Sequence, residues 1–166
     1  ACSKAGGGKV VVPEGTFLTG AITLKSHVNL VVEKGAVLEF VFKPELYPIV
    51  LTRWEGLDCW NLSPCIYAYK ETDIAITGEG TIDGGGTNDT WWKWCGSDRY
   101  GWKPGTISQR NGSRARLLKM AEDGVDKNER RFTAEDGLRP QLINPNECDG
   151  VLIENVTLLR SPFWVI

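Results

Sequence analysis

A twelve-residue pattern of apolar and polar positions occurs four times along the chain. Each copy has a short run dominated by β-branched residues, then a polar corner that usually holds glycine, then a second apolar run. The copies occupy 9–20 (KVVVPEGTFLTG), 29–40 (NLVVEKGAVLEF), 73–84 (DIAITGEGTIDG) and 150–161 (GVLIENVTLLRS). The first two start 20 residues apart and the third starts 44 residues later, about two such periods. Strand–corner–strand units at this spacing predict an all-β parallel solenoid.

The corners of the four copies favour stacked coils over a sheet of hairpins. Asn-Gly or Asp-Gly turns mark hairpins, whereas these corners sit at one place in every copy and bend the chain sideways. Strands of successive copies are then expected to stack in parallel about 4.8 Å apart, with columns of Val, Ile and Leu inside. Glycine supplies corner angles that a Cβ forbids, and we expect Asn155 to adopt the left-handed conformation in the fourth copy.

Two segments interrupt the pattern. Three prolines exclude central-strand pairing from 41–65, so this segment is predicted to project as a loop. The segment 87–140 is a larger aromatic and basic insertion, with a predicted helix over 114–123 and Ser113 as its N-cap. The whole chain, 1–166, is expected to form a single partial β-helix domain with this partly helical insertion.

Composition and charge exclude several classes of function. The net charge of −2 gives no overall attraction to nucleic acid or to anionic lipid, and no apolar run approaches the ~20 residues of a membrane span. We therefore expect neither nucleic acid nor a membrane as partner. His27 is the only histidine, so a histidine-based catalytic triad or multi-histidine metal site cannot be built from this chain.

The five cysteines match no zinc or haem spacing. Cys59 and Cys65 are close enough in sequence for a small loop disulfide. Free, partly buried thiols are the alternative, and the sequence leaves both open.

The irregular segments hold most of the seven tryptophans. Indole faces stack on the C–H faces of sugars, and loops on a rigid scaffold are where binding groups gather. The alternative is that the tryptophans pack the insertion onto the coils. The stretch 99–139 adds ten basic residues against six acidic ones, a net of +4, which suits an anionic saccharide, although a solvated helical face is also compatible with it. The candidate substrate-binding residues are Arg53, Trp54, Glu55, Trp91, Trp92 and Arg139.

Paired carboxylates are what sugar hydrolysis requires. Asp73, Asp83 and Asp149 each lie at a corner or strand end, where aspartate caps backbone amides. We therefore assign no catalytic residue in this chain.

Several segments, taken together, resemble glycoside hydrolase family 28, the polygalacturonase family. They are GGGKVVVPEGTFLTGAITLKSHVNLVVEKGAVLEF, then TRWEG, IDGGG followed by WW, LRP, and VLIENVTLLRSPFW, in the order of the family. The resemblance implies a right-handed parallel β-helix, a pectic or other uronate-containing polysaccharide as substrate, and hydrolysis of α-1,4-galacturonide linkages with inversion and without a metal or other cofactor. In such a reaction one carboxylic acid protonates the leaving oxygen while carboxylates activate water.

The sequence departs from the family at its catalytic motifs. The family's Asn-x-Asp, Asp-Asp, Gly-His-Gly and Arg-x-Lys motifs follow the SPFW segment, and none of them occurs here. We therefore expect this chain to be the N-terminal part of such an enzyme. We expect it to be inactive alone and to pair with the remaining coils of the same enzyme. The substrate class favours a secreted or periplasmic location. A non-catalytic β-helical carbohydrate-binding module is the alternative, and a β-helical pectate lyase would need a calcium-binding carboxylate cluster that the sequence does not display.

Overall fold

A computed structural model describes residues 1–166 as a right-handed parallel β-helix with one α-helix. The strands are β1 (Gly8–Val12), β2 (Gly15–Thr19), β3 (Ile22–Thr23), β4 (Val28–Val32), β5 (Ala36–Phe40), β6 (Ile49–Trp54), β7 (Leu57–Leu62), β8 (Ile66–Tyr69), β9 (Thr72–Gly78), β10 (Thr81–Asp83), β11 (Ile143–Asn146), β12 (Asp149–Glu154) and β13 (Thr157–Leu159). The helix α1 spans Ser113–Glu122, and short 3₁₀ turns cover Ser3–Ala5, Pro44–Leu46, Trp91–Cys95, Asp98–Tyr100 and Ala134–Asp136. None of these helices is long and apolar enough to span a membrane.

Three parallel sheets form the walls of the β-helix. The first has the order β1-β4-β9-β12, the second β2-β5-β10-β13 and the third β3-β8-β11. Each of the first three coils thus contributes one strand to each wall, and β12 and β13 extend the first two walls. The predicted solenoid is confirmed. Pro145 is tolerated in β11 because that strand lies at the edge of its sheet.

The pairing register of the strands confirms the 20-residue spacing of the first two copies and corrects the alignment of the later copies. Val10 pairs with Leu30, 20 residues on. Asn29 pairs with Ala75, whereas the aligned sequence copies place it beside Asp73. The difference of two residues arises because the third corner is shorter, and an even shift leaves the same faces pointing inward.

The core lies between the three walls. In β4 and β5 every second residue is buried, which places Leu30 and Leu38 inside. Ile76 and Ile82 continue these columns in the next coil. Strands at both ends of the stack expose apolar side chains, for example Leu18 and Leu152.

The corners behave as their residues predict. Gly78 has φ +120°, and a Cβ there would lie 2.0 Å from the carbonyl oxygen of Val32 in the coil below. Only glycine allows this approach of two backbones. Asn155 has φ 63°, so the expected left-handed conformation of the fourth corner is confirmed.

The segment 41–65 contains more regular structure than the sequence predicts. Between its prolines, β6 and β7 form an antiparallel hairpin. Glu55 and Gly56 make the two-residue turn with φ of 46° and 84°, the backbone geometry that hairpin twist requires. The tyrosine hydroxyl of Tyr67 donates to the carbonyl of Leu51 at 2.5 Å, which fixes the hairpin against the third sheet.

The insertion 87–140 carries α1, which starts one residue earlier than predicted. Gly112 occupies the N-cap position, so the prediction of Ser113 as N-cap is wrong. The Ser113 hydroxyl instead donates to Asp136 at 3.2 Å. Leu117 is 1% exposed and joins a second apolar cluster with Trp54 of the hairpin. The cluster therefore packs hairpin and insertion together.

All five cysteines are free thiols. Cys59 and Cys65 are both buried, in different apolar clusters. The loop disulfide that the sequence left open is thus not formed, and the alternative of buried thiols describes this pair.

Candidate functional site

A cleft of about 390 Å³ opens where the insertion meets the segment that follows β13. We call it the aromatic cleft. Its walls combine ring faces, one guanidinium and backbone, and they contain no carboxylate. The lining residues are Trp92, Cys95, Tyr100, Arg139, Ser161, Pro162 and Phe163.

Trp92 is held at the cleft by its own indole nitrogen. Nε1 donates to the carbonyl of Ser161 at 2.8 Å, and the ring meets Tyr100 edge-on with centroids 6.5 Å apart. Gly86 allows this position, since a Cβ there would lie 2.4 Å from Trp92 Nε1. Trp92 thus lines the cleft, and its role in substrate binding stays a prediction.

Arg139 supplies the positive charge of the cleft. Its guanidinium lies 4.8 Å above the Phe163 ring. Nη1 donates to the carbonyl of Pro162 and Nε donates to Gln109 Oε1, each at 3.1 Å. Burial lowers the pKa of Arg139, because the charged form loses hydration. The side chain forms no ion pair with a carboxylate, unlike four other cations of the insertion.

Trp54 supports the cleft from behind. It is 2% exposed, stacks on Phe163 at 5.0 Å with an interplanar angle of 10°, and donates its Nε1 proton to the carbonyl of Arg139 at 3.1 Å. The expectation that Trp54 itself meets a ligand is wrong, because its ring is buried by the hairpin, α1 and Phe163. It fixes two residues that do line the cleft.

Trp91 belongs to the core. It is 0% exposed and meets Phe42, Tyr47 and Trp94 edge-on at 4.7 to 5.2 Å. Its prediction as a substrate-binding residue is wrong, since a buried ring offers no face to a sugar. The packing alternative describes Trp91, whereas its neighbour Trp92 points to the cleft.

Arg53 and Glu55 lie at the tip of the hairpin and do not line the cleft. Arg53 Nε pairs with Asp58 at 2.9 Å, and Glu55 pairs with Arg114 Nε at 2.9 Å. Both charges are therefore neutralised within the protein. The structure brings Trp54, Trp92 and Arg139 together around 161–163 and leaves these two outside.

Ion pairs also neutralise part of the basic stretch 99–139. Four of its cations have carboxylate partners, namely Arg114, Arg116, Lys119 and Lys127. Two of these partners lie within the stretch and are already counted in its net charge, so only the pairs of Arg114 and Lys127 offset part of that charge. Arg139 differs, because its partners are an amide and a carbonyl.

One contact at the cleft carries no sequence signal. Gln109 is 7% exposed and contacts Arg139 from 30 positions away in an irregular segment.

Asp83 caps the backbone of Gly85 at 3.0 Å, as predicted, but it also holds Arg160 through both carboxylate oxygens at 2.6 to 2.9 Å. No group of three or more His, Cys, Asp or Glu side chains is arranged to hold a metal ion.

Comparisons with known proteins point to one group of enzymes. No family model matches the chain. An exopolygalacturonase from Thermotoga maritima, described as hyperthermoactive, matches 99% of the chain with 43% identity and a TM-score of 0.95, over 37% of its own length. A Vitis vinifera protein named "Probable polygalacturonase" is 27% identical over 96% of the chain and 26% of its own length.

A third match concerns the fold. The family 28 exopolygalacturonase from Yersinia enterocolitica superposes on 95% of the chain with a TM-score of 0.60 and 23% identity, over 30% of its own length. The chain spans well under half the length of each of these relatives. In sequence and in structure, the chain resembles a part of the polygalacturonases of glycoside hydrolase family 28.

Proposed function

We propose that residues 1–166 form part of a pectin-degrading hydrolase that cleaves α-1,4-galacturonide linkages. The observation that carries this is the 43% identity and TM-score of 0.95, over 99% of the chain, with an exopolygalacturonase. The aromatic cleft agrees with such a substrate. Trp92 and Tyr100 offer faces for the C–H surface of a sugar, and the Arg139 guanidinium can receive a carboxylate.

The role of this chain is to bind and orient the saccharide. Hydrolysis with inversion needs a carboxylic acid for the leaving oxygen and a carboxylate for water on the opposite face of the ring. No carboxylate lines the aromatic cleft, and Asp83 is occupied by Arg160. The proposal is therefore that the acid and base come from coils outside residues 1–166 and that this chain alone does not hydrolyse pectin.

The stereochemistry of the product tests the reaction. The natural polypeptide that contains residues 1–166 is incubated with trigalacturonate, and the first product is followed by ¹H NMR. Inversion at an α-linkage predicts that the β-anomer of the new reducing end appears first and then mutarotates. First appearance of the α-anomer would contradict inversion, and an unsaturated product of a lyase would contradict hydrolysis.

A non-catalytic carbohydrate-binding module is the second candidate. The absence of carboxylates among the cleft residues favours it, because binding needs only the aromatic and cationic walls. Saturable binding of pectic fragments without cleavage by the natural polypeptide would support the module. Cleavage would exclude it.

A further inference from the structure

The guanidinium of Arg139 is only partly used by the protein. Arginine carries five N–H donors in a planar fork. The bonds to Gln109 and to the Pro162 carbonyl use two of them, and the face of the group rests on Phe163. The remaining donors belong to a side chain that lines the aromatic cleft. Arg139 is thus fixed in place while part of its fork stays available to a ligand.

Gln109 is itself held firmly. Its backbone N–H donates to the carbonyl of Trp94 at 2.9 Å, and its carbonyl accepts from the N–H of Arg114 at 3.0 Å. The residue is 7% exposed, so its side chain has little freedom to leave Arg139. The two backbone hydrogen bonds and the burial of Gln109 therefore fix the position of the side-chain oxygen that accepts from Nε of Arg139.

The chemical type of residue 109 decides what charge the cleft presents. A glutamine oxygen accepts the Nε–H bond without carrying charge, whereas glutamate in the same place would pair with the guanidinium. Glu55 influences Arg139 through space, but its own ion pair is with Arg114 at 2.9 Å. The positive charge of Arg139 is therefore oriented by the protein and not cancelled by it.

We propose that Gln109 is a positioning residue that presents Arg139 to the cleft as a receptor for a ligand carboxylate. The pair makes the cleft select a uronic acid over the same sugar with its carboxyl esterified. This inference rests on the proposed function, since it concerns the same cleft and the same class of saccharide. Charge-assisted and bidentate contacts are the strong ones for carboxylates, which gives the selection its physical basis.

Two uncleavable probes test the selection in the natural polypeptide. Galacturonic acid and its methyl ester differ in the charge of the carboxyl group and in one methyl group, and their binding is measured by NMR titration at low salt. The wild type is expected to bind the acid about tenfold more tightly, the effect of one hydrogen-bonded charge contact. Equal binding, in a protein that still hydrolyses polygalacturonate, would overturn the selection and leave the proposed function standing. Absence of hydrolysis would overturn the proposed function instead.

A matched pair of variants tests the role of Gln109. Gln109→Glu is expected to remove the preference for the acid while binding of the ester is unchanged, because the new carboxylate neutralises Arg139. Gln109→Met keeps the length and the free charge, so it is expected to weaken binding of the acid and retain a preference. A purely structural role would affect both variants and both probes alike, and that result overturns the inference. Arg139→Lys is the substitute variant if Gln109→Glu does not fold. Lysine keeps the positive charge without the planar fork of donors, and an unchanged preference for the acid in this variant also overturns the inference.

Discussion

Trp54 and Phe163 stack face to face, with ring centroids 5.0 Å apart and 10° between their planes. The two residues come from the hairpin and from the segment after the last parallel strand, 109 positions apart in the sequence. Arg139 rests on the same Phe163 ring. One stacked pair thus connects the hairpin, the insertion and the wall of the aromatic cleft.

Replacing Trp54 by alanine is expected to destabilise the protein by about 3–5 kcal/mol, because a large buried side chain leaves a cavity. The measurement is the free energy of unfolding in urea. Trp164 is the control, since it also stacks on a ring, at 5.3 Å from Phe163, but is 47% exposed. Trp164→Ala is expected to cost less than about 1 kcal/mol. Equal losses in the two variants would contradict the role of Trp54 as a buried support.

Trp91 and Trp92 are adjacent, yet their substitutions are expected to act on different properties. Trp92→Ala removes a ring face from the cleft and is expected to weaken binding of pectic fragments by about 1–2 kcal/mol. Trp91→Phe enlarges a space in the core, so it is expected to lower the free energy of unfolding and leave affinity unchanged. Calorimetric titration and urea unfolding of both variants give the comparison. A larger loss of affinity in Trp91→Phe would contradict the assignment.

Glu71 is expected to make stability depend on pH. Burial opposes its charged form, but hydrogen bonds from Lys25 and Ser26 outweigh burial and lower the pKa of Glu71. A lowered folded-state pKa contributes stability that is present above the unfolded pKa of about 4.3 and is lost as the pH falls through the folded-state value.

The corresponding variant is Glu71→Gln. It is expected to be less stable than the wild type at pH 7 by about 1 kcal/mol. The gap should close in acid, where the wild-type carboxyl is protonated as well. Urea unfolding at pH 7 and near pH 3 measures the gap, and a gap of the same size at both pH values would show that Glu71 does not act through its charge.

The buried thiols are expected to be inert in the folded protein. Burial raises the pKa of Cys59 to about 12, with the nearby Asp58 charge adding to the effect. Burial also raises the pKa of Cys65. Since the thiolate is the reactive form, titration with a disulfide reagent at pH 8 should leave both unreacted until the chain unfolds. All five should react in denaturant, and fewer than five would reveal a disulfide.

The repeats predict the walls of the β-helix because strand spacing and corner residues are local properties of the sequence. The 20-residue period appears directly in the pairing of Val10 with Leu30. The β4–β9 register differs by two residues from the alignment of the sequence copies, whereas β5–β10 follows it, because corner length varies while inward and outward alternation does not. At the fourth copy Ile82 pairs with Leu158, one residue from the alignment of the sequence copies, since that corner is shorter again.

The site is less predictable because it depends on contacts between distant segments. Trp91 and Trp92 have the same sequence context, and only the 3₁₀ turn decides which ring is buried. Nothing near Gln109 in the sequence indicates its contact with Arg139. The sequence does not predict the hairpin, because prolines bound it on both sides and Glu55-Gly56 is not one of the usual turn pairs.

Reducing-end release from polygalacturonate tests the central claim most directly, measured side by side for residues 1–166 alone and for the natural polypeptide that contains them. The prediction is release by the natural polypeptide and none by residues 1–166, because no carboxylate lines the aromatic cleft to act as acid or base. Turnover by residues 1–166 alone would place the catalytic carboxylates within this chain and contradict the proposal. Absence of release by the folded natural polypeptide would contradict the hydrolase itself.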